Sequence, residues 1–318
     1  MKSLKNFSVG CALATLLCSC QPPDPKELHD AIRAGDQARV KTLVSQNSRV
    51  ANAPDKAGNT ALHQAVATGN AAMVDLLLAN KASVNARNGL DQTPLYRAIS
   101  MNNQPVIKLI LAQKPDPNGK DSLGNSLLHV AAQKGNQEVV EWLLANKADA
   151  EVKNTFGKTP LLFALQARKG AAVPAMLIKY GVNVNWVDEN GATLLHVAAG
   201  GRDKGVIELF LDKKLDPNAP DKAGNTPLHY AAEAGNLSVV ESLIAHRADF
   251  RALNNEKMTP AQYAERPQQV MAGAMIGAAD RKTQAGAPAL SASNVAQTKS
   301  PEVEQVVKYL KTLAAGGK

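Results

Sequence analysis

The chain has 318 residues, of which 45% are apolar and 20% charged, and its formal net charge is +8 at pH 7. This balance excludes wholesale disorder, which requires low hydrophobicity and high net charge. Aromatic residues make up only 4% of the chain, which favours close-packed helices rich in alanine over a β-sandwich. Beyond the N-terminus no apolar stretch reaches about 18 residues, so the sequence predicts no internal transmembrane helix.

The N-terminus has the pattern of an export signal. Lys2 and Lys5 form a positive segment, and the apolar run 9–17 follows. These lysines are the only charged residues among the first twenty, so the remainder of the chain carries +8 − 2 = +6. An exported chain has little access to nucleic acid, and we predict no nucleic-acid partner despite the positive charge.

The segment Leu17–Cys20 resembles a bacterial lipobox, with leucine three residues before the cysteine and a small residue directly before it. The resemblance implies cleavage before Cys20 and lipidation of its thiol. An ordinary signal peptide that ends near Ser19 is the alternative. We assign residues 1–19 to the signal peptide and residues 20–25 to the lipidated cysteine and a short tether.

All three cysteines (Cys11, Cys18 and Cys20) lie in this segment, so a chain that begins at Cys20 can form no intramolecular disulfide. Several acyl chains give stable membrane attachment. In enteric bacteria an aspartate after the lipidated cysteine retains the protein at the inner membrane, and this chain has Gln21 there. We therefore expect a lipid-anchored protein on the periplasmic side of the outer membrane, with inner-membrane sorting left open.

An internal repeat sets the architecture. The segment Asp55–His63 recurs with its turn and its threonine or serine intact. Strong copies occupy 121–129, 188–196 and 221–229, and weaker copies begin at Asn88, Asn154 and Asn254. The period is 33 residues, with one unit of 34. Asp-x-x-Gly predicts a tight turn, Thr-Pro predicts a helix start, and Gly69, Gly135 and Gly235 predict helix ends.

This pattern closely resembles the ankyrin repeat and its T-P-L-H-x-A signature. The resemblance implies an all-α solenoid of stacked helix-turn-helix units with short β-hairpin tips, because one unit cannot bury its apolar face alone. The predicted organisation is an N-terminal capping unit at 26–54, six repeats at 55–253, and a C-terminal capping unit at 254–318 with a disordered loop near 281–300. Residues 303–313 are predicted to supply the last second helix, with Val306, Leu310 and Leu313 buried.

Four histidines occupy one repeat position: His63, His129, His196 and His229. They are candidates for a metal or catalytic cluster, but helices of neighbouring units pack roughly 8–10 Å apart, too far to share one ion. The ankyrin resemblance implies instead that each imidazole bonds the hairpin backbone. No nucleotide-binding loop, nucleophile elbow or metal-ligand spacing occurs, so we predict no catalytic residue, no cofactor and no enzyme activity.

Cations replace the glycine that usually follows the second helix of an ankyrin repeat. They are Lys81, Lys114, Lys147, Lys214 and Arg247, while Gly181 retains the glycine. A β-carbon in a left-handed cap costs about 1 kcal/mol unless the backbone adopts another conformation. These cations either complement the helix dipole or form a basic ridge for anionic lipid or polysaccharide.

Two further columns suggest a binding surface. The third hairpin position carries Leu90, Leu123 and Phe156 in consecutive units, and Trp186 lies in the next hairpin. The position that closes each unit carries Arg87, Lys120 and Lys153 beside those tips. Apolar anchors with a cationic rim are typical of protein-binding hot spots, and ankyrin proteins commonly use both columns for contacts. Packing between the tips is the alternative.

The sequence therefore predicts a monomeric envelope protein that clamps a periplasmic enzyme with an apolar patch and an acidic rim. We expect inhibition or regulation of that enzyme, as by an immunity or self-protection factor. The alternatives are a non-inhibitory scaffold for a stress-defence enzyme and a basic-ridge binder of peptidoglycan or lipopolysaccharide. The chemistry of the tips indicates the kind of surface that is bound but does not identify the partner.

Overall fold

The computed structural model describes residues 24–201, 203–266 and 300–316, and the chain divides into two compact units, residues 1–160 and 161–318. The predicted signal peptide, Cys20 with most of its tether, and nearly all of the predicted loop near 281–300 lie outside the described residues. The described ranges are mostly α-helical with isolated β-bridges only, which confirms the predicted all-α class.

The first unit begins with two helices that lack a hairpin and continues with complete helix pairs. Its helices are α1 (Pro25–Ala34), α2 (Gln37–Gln46), α3 (Ala61–Thr68), α4 (Ala71–Ala79), α5 (Pro94–Ser100), α6 (Gln104–Leu111), α7 (Leu127–Lys134) and α8 (Gln137–Ala145), with a 3₁₀ helix at Ser48–Asn52. Helix α1 begins within the predicted tether, because the Asp24 carboxylate accepts the N–H of Lys26 at 2.9 Å and proline suits the first helical turn.

Within this unit the first helices of successive repeats pack against one another, α1 on α3, α3 on α5 and α5 on α7. Leu62, Leu95 and Leu128 recur at 33-residue intervals on these helices, and each is fully buried. Burial of each such side chain is worth about 1.5–3 kcal/mol. Because a neighbouring repeat supplies the contact surface, successive repeats within this unit stabilise each other rather than folding alone.

Backbone hydrogen bonds also join successive hairpins. In the first unit Gly89 N–H donates to the carbonyl of Ala57 (2.9 Å), Ser122 N–H to Leu90 (3.0 Å) and Thr155 N–H to Leu123 (3.0 Å). The second unit repeats the bond from Lys222 to Asn190 (2.8 Å) and from Asn255 to Ala223 (3.0 Å). In each case the acceptor is the third hairpin residue, so its carbonyl is fixed while its side chain is left for other contacts.

The second unit continues the pattern of helix pairs. Its helices are α9, which begins at the boundary (Pro160–Ala167), α10 (Ala172–Lys179), α11 (Leu194–Ala199), α12 (Lys204–Asp212), α13 (Pro227–Glu233), α14 (Leu237–Ala245), α15 (Pro260–Glu265) and α16 (Pro301–Gly316). Four residues, 168–171, connect α9 to α10, whereas residues 135–136 suffice between α7 and α8. This connection is two residues longer and α10 is one residue shorter than α8, which together account for the additional residue of the 34-residue repeat.

Helix α16 takes the place of the missing second helix, since it packs against α13, α14 and α15. Val306 and Leu310 are buried as predicted, but Leu313 lies nearer the helix end and is only partly buried. At Gly235 (φ +68°) a β-carbon would come within 2.9 Å of the Val303 backbone nitrogen. The chain can approach α16 this closely because the residue is a glycine.

The cations after the second helices adopt the left-handed conformation, with φ between +50° and +69° at Lys81, Lys114, Lys147, Lys214 and Arg247. The backbone therefore does not avoid the strain of a β-carbon at these positions. In two of these turns an asparagine of the preceding repeat bonds the backbone. Asn52 Nδ2 donates to the Lys81 carbonyl (3.2 Å), and Asn218 Nδ2 donates to the Arg247 carbonyl (3.0 Å). These two turns therefore contact the preceding repeat through their backbone, independently of their side chains.

We predict that Leu310→Ala lowers the free energy of unfolding by about 2–4 kcal/mol, because it removes a buried side chain from the last interface. Lys308→Ala on the exposed side of α16 serves as the matched control and should change stability by less than about 0.5 kcal/mol. Urea denaturation followed by circular dichroism measures both. Equal effects of the two substitutions would contradict the docking of α16.

We predict that the triple variant Lys81→Gly, Lys114→Gly and Lys147→Gly is more stable by about 1–2 kcal/mol. Each glycine relieves left-handed strain of about 1 kcal/mol or more, offset in part by the greater freedom of glycine in the unfolded chain. The control Lys134→Gly, in the last turn of α7, should destabilise by about 0.5–1 kcal/mol. Urea denaturation should show changes of opposite sign in the free energy of unfolding of the triple variant and of the control. A loss of stability in both would be inconsistent with strain at the left-handed lysines.

Candidate protein-binding surface on the hairpin tips

The hairpins of the first unit are held by their first residue. The Asp121 carboxylate accepts the N–H groups of Leu123 (3.0 Å) and Asn125 (2.8 Å), and Gly124 takes up φ +75° at the turn. Asn88 and Asn154 supply the same side-chain acceptor in the neighbouring hairpins. This hydrogen bonding leaves the backbone of each tip little freedom.

The three apolar tips point to solvent. Leu90 is 58% exposed, Leu123 49% and Phe156 54%. Packing between the tips, the alternative reading of these residues, covers at most half of each side chain. The backbone bonds described above hold the hairpins together without help from these side chains, so the tips are not needed as core.

Exposed cations accompany the tips, as the sequence predicts. Arg87, Lys120 and Lys153 are all exposed, and none of them forms an ion pair with a described residue. The Asp121 carboxylate beside them makes no ion pair with these cations, and its second oxygen accepts the hydroxyl of Tyr96 at 2.6 Å. The structure therefore gives the first unit a row of apolar tips and a row of available positive charge.

The hairpins of the second unit are patterned differently. Trp186, expected to extend the exposed row, belongs to this unit and is partly buried. Its ring therefore contributes to packing, and Trp186→Ala would disturb the fold as well as any contact. The tip position carries Asn190, Ala223 and Glu256 in this unit, all exposed and none of them a large apolar residue.

Sequence reasoning missed two exposed apolar residues at the closing position of the second unit's repeats. Val187 is 53% exposed and Leu253 57%, and both occupy the column that carries cations in the first unit. The signal was present in the repeat alignment, because the closing position changes from Arg87, Lys120 and Lys153 to valine, proline and leucine. The cationic rim is thus confined to the first unit.

Each histidine of the repeat column uses both ring nitrogens within the fold. In the first unit His63 Nδ1 accepts the Thr60 N–H (3.2 Å), and its Nε2–H donates to the Gln92 carbonyl (2.8 Å) of the next hairpin. His129, His196 and His229 repeat both bonds, with Nε2 at 2.9–3.1 Å from a carbonyl oxygen. No lone pair is left for a metal ion, so the hydrogen-bonding interpretation holds.

Tyr96 occupies the histidine position of its unit and reaches the next hairpin in another way, by donating its hydroxyl to Asp121. Burial and this hydrogen bond raise the pKa of Tyr96 far above its ordinary value. Gln262 fills the same position in the last unit, where its Oε1 accepts the Thr259 N–H at 2.9 Å. Most members of this column are therefore polar side chains that bond a neighbouring backbone or side-chain group, whereas the repeat that begins at Asn154 has the buried Leu162 there.

The described ranges contain no cluster of histidine, cysteine, aspartate or glutamate that could hold a metal ion. In the same ranges no helix is both long and apolar enough to span a bilayer.

The histidine column predicts acid sensitivity. Burial lowers the pKa of His63, His129, His196 and His229 below the ordinary value near 6.5. The unfolded chain therefore binds more protons, so stability is complete above pH 6.5 and falls as the pH drops below it. Each histidine contributes at most about 1.4 kcal/mol per pH unit to this loss.

Urea denaturation between pH 7.5 and 5 should show this decline. His129→Gln introduces the residue that occupies the same column at Gln262. It should reduce the slope of the free energy of unfolding against pH by the contribution of one histidine. A slope unchanged in this variant would contradict the assignment of the proton uptake to the column.

Comparison with protein families supports the repeat assignment. The family model "Ankyrin repeats (3 copies)" matches residues 28–121 and 128–221, and the model "Ankyrin repeats (many copies)" matches residues 211–264. No curated protein matches the chain. Ankyrin repeats generally act as protein-binding scaffolds without catalytic activity, so protein binding follows from the repeats themselves. Because the matched segments cover well over half of its length, the chain belongs to the ankyrin-repeat family.

Proposed function

We propose that the protein binds another protein of the cell envelope through the hairpin tips of its first unit, and that it regulates that partner as a stoichiometric inhibitor. The observation that supports this proposal is the row of half-exposed apolar tips, Leu90, Leu123 and Phe156, beside unpaired cations. Large apolar residues on rigid, exposed hairpins have no role in the core, and they are the usual centre of a protein–protein interface.

The nature of the partner follows from the same surface. Apolar tips require an apolar patch on the partner, and Arg87, Lys120 and Lys153 favour acidic groups around that patch. An enzyme whose activity must be restrained in the periplasm is the kind of partner that such a binder would regulate. A scaffold that supports its partner would use the same contacts, and the two roles differ in the sign of the change in enzyme activity.

Localisation is the second part of the proposal. The lipobox at Leu17–Cys20 and the glutamine that follows support a lipid anchor on the periplasmic side of the outer membrane. Such an anchor would hold the binding surface near envelope enzymes and raise its local concentration.

We predict that Cys20→Ser abolishes lipidation and leaves the protein soluble or uncleaved. Membrane fractionation, combined with inhibition of the lipoprotein signal peptidase by globomycin, measures this. Ser19→Ala, which keeps a small residue before the cysteine, is the control and should be processed normally. Unchanged processing and membrane retention of Cys20→Ser would refute the lipid anchor.

We predict that Phe156→Ala weakens binding to the partner by about 2 kcal/mol, a common hot-spot cost. Crosslinking and affinity capture from an envelope fraction identify the partner, and titration calorimetry then measures its affinity. Leu253→Ala is the matched control, because Leu253 is equally exposed but lies in the second unit. Thermal stability should change little in either variant.

Charge reversal at Lys120 tests the rim separately. Lys120→Glu should mainly slow association and reduce its dependence on salt, as expected of an exposed interface cation. If instead Phe156→Ala unfolds the protein several degrees earlier and leaves the affinity of the folded fraction constant, the tips serve packing and the partner binds elsewhere.

A further inference from the structure

The loops that follow the second helices of the first unit stand side by side. They comprise residues 47–54, 80–87, 113–120 and 146–153. The side-chain oxygen of an asparagine in each loop accepts a backbone N–H of the next. The bonds join Asn52 to Ser83 (2.7 Å), Asn85 to Asp116 (2.9 Å) and Asn118 to Asp149 (3.1 Å). A lysine lies two residues before each of these N–H groups, so the three lysines form one row: Lys81, Lys114 and Lys147.

The side chains of this lysine row are available to a ligand. All three residues are exposed, and none forms an ion pair with a described residue. The four loops together carry seven cations and three carboxylates. Two of the carboxylates, Asp116 and Asp149, accept a backbone N–H of their own loop, from Asn118 (2.9 Å) and Glu151 (3.0 Å). The loops of the first unit therefore present a positively charged surface.

The fold does not require lysine at these positions. Each lysine is held at positive φ, where glycine would be relaxed. The contacts between the loops use backbone groups and asparagine side chains. A cation after a helix complements the helix dipole, but salt screens this effect at exposed positions. Strain that is kept at several equivalent positions indicates a role for the lysine side chains outside the fold.

The predicted lipid tether enters the first unit beside this row. Two residues, Gly35 and Asp36, connect α1 to α2, and helices joined by so short a connection run antiparallel. The start of α1 therefore lies at the same end of the helix pair as the end of α2, where the first loop begins. A contact within the fold agrees with this, because His29 Nε2 of α1 lies 3.2 Å from the Ala53 carbonyl oxygen of that loop.

The tether is short enough to bring the row to a bilayer. The four steps of the chain from Cys20 to Asp24 span at most about 14 Å. Salt screens charges beyond about 8–10 Å under physiological conditions, which is a comparable distance. A unit tethered this closely can lie with its row of loops along the bilayer, where anionic lipids attract lysine.

We propose that the lysine row binds the phosphate groups of anionic phospholipid headgroups in the leaflet that holds the lipid anchor, and so orients the first unit on the membrane. This inference rests on the lipid anchor of the proposed function. Lysine suits such a surface, because its ammonium group binds phosphate as a point charge without a fixed geometry. Each lysine precedes the apolar tip of its hairpin by nine residues and belongs to a different turn of the backbone, so the two surfaces can be tested separately.

Sedimentation with lipid vesicles tests this inference. The chain from Gln21 onwards retains every described residue and carries no lipid, so its binding reports the protein surface alone. One set of vesicles contains phosphatidylcholine only, and the other contains phosphatidylcholine and phosphatidylglycerol in equal amounts. Binding is measured at about 0.1 M and about 1 M salt, where charges are screened beyond about 10 Å and about 3 Å.

We expect the chain to bind the vesicles with phosphatidylglycerol at the lower salt concentration and to bind neither set at the higher one. A triple variant with glutamine at the lysine row keeps the β-carbons and should weaken this binding about a hundredfold, since each cation near an anionic surface contributes about fivefold. The matched control replaces three other exposed lysines of the first unit by glutamine and should weaken binding less than about fivefold. These lysines lie on helices α2, α6 and α7 and are Lys41, Lys108 and Lys134.

Equal losses from the two triple variants would overturn the inference, because the charge of the whole chain would then explain the binding. Equal binding to the two sets of vesicles would also overturn it. Inhibition by millimolar inorganic phosphate would indicate a site for free anions instead of a lipid surface. Tighter binding to peptidoglycan sacculi or to lipopolysaccharide than to the vesicles would assign the row to that ligand.

The outcome separates this inference from the proposed function. If fractionation of Cys20→Ser supports the anchor but the lysine row does not affect vesicle binding, the row is wrong and the anchor stands. If Cys20→Ser leaves processing and membrane retention unchanged while vesicle binding depends on the row, the anchor is wrong and the surface stands. The lysine variant should leave capture of the natural partner unchanged, and Phe156→Ala should leave vesicle binding unchanged.

Discussion

The hydrogen bonds that join each hairpin to the next are the contacts on which the other features of the two units depend. Within each unit the carbonyl of the third hairpin residue accepts the N–H of the following hairpin, and the histidine column adds a bond from the first helix to the same neighbour. Because these bonds use backbone groups and a buried imidazole, they do not depend on the side chain at the tip. The tips are therefore free to vary without loss of the fold.

Because the fold does not depend on the tip side chains, the same repeat can have different residue types at its tip and closing positions in the two units. In the first unit the tips are apolar and the closing position is cationic, whereas the second unit has Val187 and Leu253 at the closing position and polar or small residues at its tips. The backbone geometry that supports both arrangements is the same. A repeat protein can thus confine a charged rim to some of its units while the helices behind them stay alike.

Two features of the contacts between repeats lower the stability of the fold. Lysine and arginine hold a left-handed conformation after the second helices, where glycine would be relaxed. Asparagines of the preceding repeat bond the carbonyls of Lys81 and Arg247, so at these two turns the contact between repeats supports the left-handed conformation. The buried histidines add a dependence on pH, because their hydrogen bonds require a neutral ring.

Much of this structure could be predicted from the sequence because the same local signals occur in one repeat after another. Asp-x-x-Gly turns, threonine and asparagine caps, and apolar residues at helical spacing each act within a few residues, and a period of 33 excludes coincidence. The all-α class and the helix pairs follow from these local rules, and the role of the histidines was implied by the resemblance to the ankyrin repeat. The displaced α16 could also be predicted, because its apolar pattern matches the second helix that the last unit lacks.

What only the tertiary structure decided is the environment of each side chain, since exposure depends on neighbours distant in sequence. The sequence placed Trp186 with Leu90, Leu123 and Phe156, but its ring is partly buried while the three tips are half exposed. Whether the cations after the second helices are left-handed was left open by the sequence, and the structure places all five at positive φ. Local signals determine which segments turn and which are helical, and the packing of one repeat on the next determines which side chains remain for a partner.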